Sequence, residues 1–268
     1  MIEKKFVFKK SLGQNFLVDN NIKDKIVNAI DESADLVIEI GPGAGALTQR
    51  IIKLQKKTIC FEVDKRLSEE LNKYNSESVQ IIFEDFLKVN LNNYIRNYKK
   101  ICYIGNLPYY ITTAIINKIY NEGNPSEIII MIQKEVGERF MAKPCTKAYG
   151  SISVFLQYNF NIEKVCNVGK NCFVPQPKVD SVVIKLTKKN EAKVKNEDKF
   201  YAFVKDSFKQ KRKNLKNNLI HYDLSIIEKE LKKINKDLTY RAEELTLDDF
   251  INISNSIFWY IFFIIKYN

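Results

Sequence analysis

Residues 36–54 constrain the fold of this chain more than any other stretch. Leu36-Val37-Ile38-Glu39-Ile40 is an apolar run interrupted by one acid, of the length expected for a strand buried on both faces. It runs directly into Gly41-Pro42-Gly43-Ala44-Gly45 and then into helical spacing from Ala46 to Leu54. Strand, glycine turn and helix in that order form a mononucleotide-binding unit: the glycines let the backbone approach a ligand, and the helix amino terminus faces it. The loop reads G-x-G-x-G, not the G-x-G-x-x-G of dinucleotide binding, and Pro42 stiffens it, so hydride-transfer chemistry fits poorly.

Further strand-like runs end in polar residues. Thr58 to Val63 carries Glu62 at its carboxyl end, about 20 residues past the loop, where an acid accepts bonds from ribose hydroxyls. Val79 to Phe83 leads to Glu84-Asp85, and Asp85 is suited to the amino group of an adenine ring. Ile101 to Ile104 delivers Asn106-Leu107-Pro108-Tyr109-Tyr110, an amide and a backbone carbonyl at a sheet edge beside an aromatic ring. Those are the parts that hold a planar, amino-bearing base. Taken singly, each has an ordinary alternative as a turn, a solvated acid or a loop.

Glu127 to Ile132 reads as a fifth strand, Gln133 to Phe140 as the start of a helix, and Lys143 to Gly150 as a basic loop containing Lys147. Ser151 to Phe160 resumes helical spacing and Asn161 to Val168 reads as a sixth strand. Phe173-Val174-Pro175-Gln176-Pro177-Lys178 is extended by its prolines ahead of a strand from Val182 to Leu186. That segment is either a rigid connector or a device that fixes Phe173 as the far wall of a base-stacking slot.

Thr187 to Lys199 is charged, lacks apolar periodicity and reads as a linker, which divides the chain into domains 1–188 and 189–268. Lys199 to Ile220 reads as one helix with Phe200, Phe203, Val204, Phe208, Leu215 and Leu219 on a single face. At about 100° per residue, Lys209, Arg212, Lys213 and Lys216 fall on the opposite side, with no acid between 209 and 216. Such a ridge suits phosphate, although a solvated face is the plainer alternative. Ile226 to Ile234 and Leu247 to Ile257 complete a small helical domain.

The net charge of +11 favours a polyanionic partner, but a lysine-rich composition raises it equally. Five cysteines without a C-x-x-C pair fit a reduced, cytoplasmic setting, and with His221 the only histidine, neither metal nor imidazole chemistry is expected. Met1 to Lys10 is basic without the apolar core of a secretory signal, and is expected to serve RNA. Ile257 to Ile265 is nine consecutive apolar residues, short of the roughly 18 to 20 that span a bilayer. A terminal helix packed on its own domain is expected there, and no membrane partner.

Gly13-Gln14-Asn15-Phe16-Leu17, Glu39 to Gly45, Asn106 to Tyr109, Gln133 to Val136, Lys147 to Gly150, Phe173 to Ser181 and Arg241 to Leu245 follow one another across nearly the whole chain. As an ordered set they resemble the small-subunit ribosomal RNA adenine N6,N6-dimethyltransferase family. The resemblance implies an α/β, class I S-adenosylmethionine-dependent methyltransferase (Rossmann-like) fold. Its seven-stranded, mostly parallel sheet has one reversed strand and is followed by a small all-helical C-terminal domain. It implies S-adenosyl-L-methionine as cofactor, no metal, and a monomer acting on small-subunit rRNA within a pre-ribosomal particle. There, two adjacent adenines in a hairpin near the 3′ end are each dimethylated at N6.

Carried over by motif, Asn15 and Leu17 would line the cofactor site, Gly41 and Gly43 its methionine side, Glu62 the ribose and Asp85 the adenine ring. Asn106 would border both cofactor and target. An exocyclic adenine amine is a poor nucleophile, so catalysis would consist mainly of alignment. Asn106 and the Leu107 carbonyl would accept its hydrogens while Tyr109 and Phe173 stack on the extruded base. RNA contacts would come from Lys147, Lys178, Lys209, Arg212, Lys213 and Lys216. Macrolide-resistance enzymes of large-subunit rRNA share the central motif. Leu107 and the Arg241 to Leu245 segment favour the small subunit, and DNA enzymes more often begin the motif with Asp-Pro-Pro or Asn-Pro-Pro.

Overall fold

The computed structural model describes residues 15–108 and 110–266, with side chains as far as Phe258. Its strands are β1 (Phe16–Leu17), β2 (Leu36–Ile40), β3 (Lys57–Phe61), β4 (Val79–Ile82), β5 (Ile101–Asn106), β6 (Pro125–Gln133), β7 (Phe160–Val168), β8 (Phe173–Val174) and β9 (Ser181–Lys188). Seven of them form one sheet in the order β4-β3-β2-β5-β6-β9-β7, and β1 pairs antiparallel with β8 in a separate ribbon. β2 runs parallel to β3 and β5, β4 parallel to β3, and β6 parallel to β5. β9 runs antiparallel to β6, which supplies the reversed strand that the resemblance implied.

Burial explains why the strand runs are so apolar. All five residues of β2 are buried, Glu39 included, as a parallel strand covered on both faces requires. β5 lies close against β2 at Gly105, where a Cβ would come within 2.5 Å of the Ile40 carbonyl oxygen, so only glycine fits. The chain winds from β2 toward β3 and β4 on one side and toward β5 and β6 on the other. The strand order therefore reverses at the β2–β5 pair, and a crevice opens beyond the carboxyl ends of those strands.

The chain forms two compact units: one runs up to Gly137 and resumes over Asn161–Lys188, and the other joins Glu138–Phe160 to the chain from Lys189 onward. The change after Lys188 coincides with the charged linker, but residues 138–160 depart from the single division after 188. Val154 and Tyr158 of the helix Ser151–Asn159 share an apolar cluster with Phe200, Phe203, Leu215 and Phe250. The Tyr158 hydroxyl also accepts the backbone N–H groups of Lys193 and Val194.

The single helix expected over Lys199 to Ile220 is two helices, Glu197–Ser207 and Leu215–Asn218, with a turn between them. Asn218 accounts for the break. Its buried amide donates to the carbonyls of Ser207 (2.8 Å) and Gln210 (3.3 Å) and accepts the Gln210 N–H (3.1 Å). Asn214 then caps the short second helix by accepting the Asn217 N–H. Lys209, Arg212 and Lys213 thus sit in the turn and Lys216 in the short helix. All four are exposed, but they do not form one face of a continuous helix.

The turn instead meets a second basic segment. Lys211 Nζ donates to the Lys147 carbonyl at 2.9 Å, and the Tyr149 ring packs edge-on to Phe208 with centroids 5.9 Å apart. Basic residues some 60 positions apart in sequence are thereby neighbours within the second unit. The final helix, Leu247–Lys266, buries Phe250, Ile251, Ile253 and Ile257 in that unit's core. Among the described residues, no helix is long and apolar enough to cross a membrane.

Candidate active site

A cavity lies where the carboxyl ends of β2, β3 and β5 meet the segment after β4. Asn15, Leu17, Gly41, Gly43, Glu62, Asp85 and Asn106, all the residues expected to bind cofactor, line it together. The loop after β2 owes its shape to three left-handed glycines, Gly41 (φ +69°), Gly43 (φ +60°) and Gly45 (φ +78°). At Gly43 a Cβ would stand 2.8 Å from the Phe16 ring, whereas at Gly41 nothing lies within 4 Å.

Glu62 braces this loop from the exit of β3. One carboxylate oxygen accepts the Gly43 N–H at 3.0 Å and the other accepts the Asp64 N–H at 2.9 Å. Burial pushes its carboxyl above the usual range, and the backbone donors at Asp64 and Gly43 work against that rise. A carboxylate offers about four acceptor sites, so Glu62 retains capacity for a further donor, such as a hydroxyl. Asp85 accepts the Leu87 N–H at 3.0 Å and so caps the short turn Phe86–Lys88, which presents the acid at the cavity wall.

Asn106 is the last residue of β5. Its Nδ2 donates to the Asn15 carbonyl at 3.0 Å, which fixes the amide's orientation and makes Oδ1 its acceptor. Leu107 is 1% exposed and does not line the cavity; its N–H donates to the Met131 carbonyl at 3.2 Å. Its side chain is therefore not presented to the cavity. Tyr109 lies outside the described residues, as do Gly13, Gln14 and the basic segment Met1 to Lys10.

Phe173, expected as a stacking wall, is not among the residues that line the cavity. The residue is 3% exposed, and its strand pairs Phe173 with Leu17 in the β1–β8 ribbon. It belongs to the core cluster that includes Leu17, Ile22, Val168 and Val183. Lys178 is exposed in the segment ahead of β9.

One cavity residue does not stand out from the sequence as a site residue. Glu39 is 1% exposed, lines the cavity, and accepts from Thr48 Oγ1 at 2.6 Å and from the Cys60 thiol at 3.5 Å, both at Oε2. Burial, opposed by the Thr48 and Cys60 bonds and reinforced by the charge of Glu62, pushes its carboxyl up to about 7. The available signal is the acid itself, standing alone in an otherwise apolar strand.

The sequence profile of the ribosomal RNA adenine dimethylase family matches residues 5–258. The chain belongs to that family. Within it, Ribosomal RNA small subunit methyltransferase A of Clostridium acetobutylicum is 42% identical over 263 residues, covering 94% of this chain and 95% of the relative. The protein of that name from Onion yellows phytoplasma is 44% identical over 263 residues, covering 95% and 97%. Among solved structures, a dimethyladenosine transferase from Plasmodium falciparum matches with a TM-score of 0.74 at 26% identity, covering 89% of this chain and 95% of that one. The 23S rRNA methyltransferase ErmE matches with a TM-score of 0.72 at 22% identity, covering 91% and 99%, which is a likeness of fold. As a ribosomal RNA adenine dimethylase with the class I S-adenosylmethionine-dependent methyltransferase fold, the chain is an enzyme, and family and fold both support S-adenosylmethionine as its methyl donor.

Proposed function

We propose that the protein transfers methyl groups from S-adenosyl-L-methionine to N6 of two adjacent adenosines in the hairpin near the 3′ end of small-subunit rRNA. N6,N6-dimethyladenosine forms during subunit maturation, in the cytoplasm, with the enzyme acting as a monomer on a pre-ribosomal particle. The observation that carries this reading is the meeting of an oriented Asn106 amide with the glycine loop and Glu62 around one cavity.

The residues present fit the methyl donor. The bare backbone of Gly41 and Gly43 takes the methionine half, Glu62 the ribose hydroxyls and Asp85 the amino group of the adenine ring, with Leu17 as an apolar wall. When bound, S-adenosylmethionine supplies an electrophilic methyl group carried on a sulfonium. What remains for the protein is to hold the acceptor. Asn106 Oδ1 and the Leu107 carbonyl accept the hydrogens of the target amine, turning its lone pair out of conjugation with the ring. No strong base is required, because the nitrogen becomes acidic only as the methyl group arrives, and its proton then passes to water.

RNA is held through phosphate by Lys178 and by the exposed cations of the second unit, Lys147, Lys209, Arg212, Lys213 and Lys216. Because the Lys147 segment and the 208–214 turn adjoin, they act together as one basic surface. Replacing Lys209, Arg212, Lys213 and Lys216 by glutamine is expected to weaken rRNA binding uniformly. The slope of log affinity against log salt should become shallower by about 0.7 to 0.9 per lost phosphate contact. Filter binding at several salt concentrations checks this, and an unchanged slope would make these residues a solvated surface. The reaction itself is tested by supplying labelled S-adenosylmethionine with immature small subunits or with large-subunit RNA: label is expected on the former, and label on the latter alone overturns the reading.

A further inference from the structure

We propose that Tyr149 is a positioning residue of the RNA-bound enzyme, whose hydroxyl gains its partner, the Asp249 carboxylate, only when RNA occupies the adjoining basic surface. The inference rests on the reading of Lys147 and the 208–214 turn as that surface, and every residue it uses belongs to the second unit. Its starting point is an orphaned group. Tyr149 is 2% exposed, and its buried hydroxyl has no hydrogen-bond partner among the described residues. Three further tyrosines packed in the same cluster are all paired: Tyr158 accepts two backbone N–H groups, Tyr201 donates to Asn159 at 2.9 Å and Tyr222 to Asp206 at 2.8 Å. Phenylalanine would fill the Tyr149 site without stranding a polar atom, so packing alone gives no reason for the hydroxyl.

Asp249 is the acid that bears on this hydroxyl. The Tyr149 ring meets Phe208 edge-on at 5.9 Å, and Phe208 lies 5.7 Å from Phe250, which follows Asp249 at the start of the helix Leu247–Lys266. Burial, and then the charge of Asp249, push the hydroxyl above its usual titration range, so it remains a donor. Asp249 accepts the Thr246 N–H at 2.9 Å and the Lys236 ammonium at 3.2 Å, both at Oδ2. Among the described residues no hydrogen bond to Oδ1 is seen, which leaves that oxygen to accept from Tyr149. A hydroxyl this deeply buried is out of reach of RNA itself, so its partner has to come from the protein.

The trigger is Lys211. Its ammonium donates to the Lys147 carbonyl at 2.9 Å and so tethers the segment that carries Tyr149 to the basic turn. The earlier part of that segment is fixed separately, by the Cys145 N–H donating to the Glu243 carbonyl at 2.7 Å. Phosphate competes for the exposed Lys211 ammonium with a charge-assisted bond, stronger than the one a neutral carbonyl offers. Once Lys211 turns to phosphate, residues 147–149 are released to shift until Tyr149 reaches Asp249, and the new bond holds the segment in its bound arrangement. The hydroxyl thus favours the RNA-bound state over the free one.

The test compares Tyr149→Phe with the unaltered protein in two measurements. Removing an orphaned hydroxyl is expected to raise the thermal midpoint of the free protein by about 2 to 4 °C. In filter binding, rRNA affinity is expected to fall about tenfold, with the slope of log affinity against log salt unchanged because every cation is kept. Asp249→Ala is expected to weaken binding as well, and adding Tyr149→Phe to it to cause no further loss. A lowered midpoint in Tyr149→Phe, the sign of a hydroxyl already bonded in the free protein, would overturn the inference, as would unchanged affinity, a shallower slope or additive losses in the double variant. If Asp249→Ala does not fold, Tyr149→Phe decides alone. Should glutamine at Lys209, Arg212, Lys213 and Lys216 weaken binding while Tyr149→Phe does not, only the role of Tyr149 falls. Should neither weaken it, the reading of the basic surface falls with it.

Discussion

Replacing Asn106 by alanine is expected to slow methyl transfer to RNA by about 10² to 10³-fold, the usual loss on removing one preorganised group from a reacting centre. S-adenosylmethionine affinity should fall by no more than about tenfold. The two effects separate because the amide has two ends. Nδ2 holds the Asn15 carbonyl at the cavity wall, an ordinary hydrogen bond worth about 0.5 to 1.5 kcal/mol. Among the described residues no hydrogen bond to Oδ1 is seen, and it is the atom proposed to accept an amine hydrogen. Single-turnover transfer and equilibrium binding, measured on the same preparation, distinguish them. Near-normal turnover would remove Asn106 from the chemistry, and a collapse of cofactor affinity would make it a structural residue of the cleft.

Gly43→Ala is expected to weaken S-adenosylmethionine binding by at least about thirtyfold. An L-residue in the left-handed region costs about 1 to 2 kcal/mol, and the new Cβ would stand 2.8 Å from the Phe16 ring. That ring is not free to retreat, because Phe16 is buried and its strand pairs with β8. Displacing the loop would also strain the bond from the Gly43 N–H to Glu62. Gly41→Ala is the internal comparison: its φ is equally left-handed, but its Cβ would meet nothing within 4 Å, so a smaller loss is expected. Equal losses in the two variants would show that backbone strain, not the Phe16 contact, governs the loop.

The first unit is readable from its sequence because its signals are local. Strands covered on both faces give unbroken apolar runs, and a turn that needs positive φ gives glycine, so β2, the loop and the cavity residues can be placed together from sequence. Contacts between distant segments leave no such trace. Nothing in the apolar period marks the break after Ser207, because Phe208, Leu215 and Leu219 keep helical spacing while Asn218, eleven residues further on, satisfies the freed carbonyls. Residues 138–160 carry the same composition whichever unit they pack with, so their place beside Phe200 and Phe250 is a property of the tertiary fold. The pairing of Phe173 with Leu17 across more than 150 residues likewise leaves no local trace. Glu39 is visible as an isolated acid, yet its depth and its bond to Thr48 give it meaning only once the strand is buried.

The most direct measurement is to map, base by base, where labelled methyl groups go when the protein and S-adenosylmethionine are incubated with immature small subunits. The predicted result is N6,N6-dimethyladenosine at two adjacent positions in the hairpin near the 3′ end of the small-subunit rRNA, and unmodified adenosine there when Asn106→Ala replaces the protein. Label found only in large-subunit RNA or only in DNA, or at those two adenosines undiminished in the variant, would contradict it.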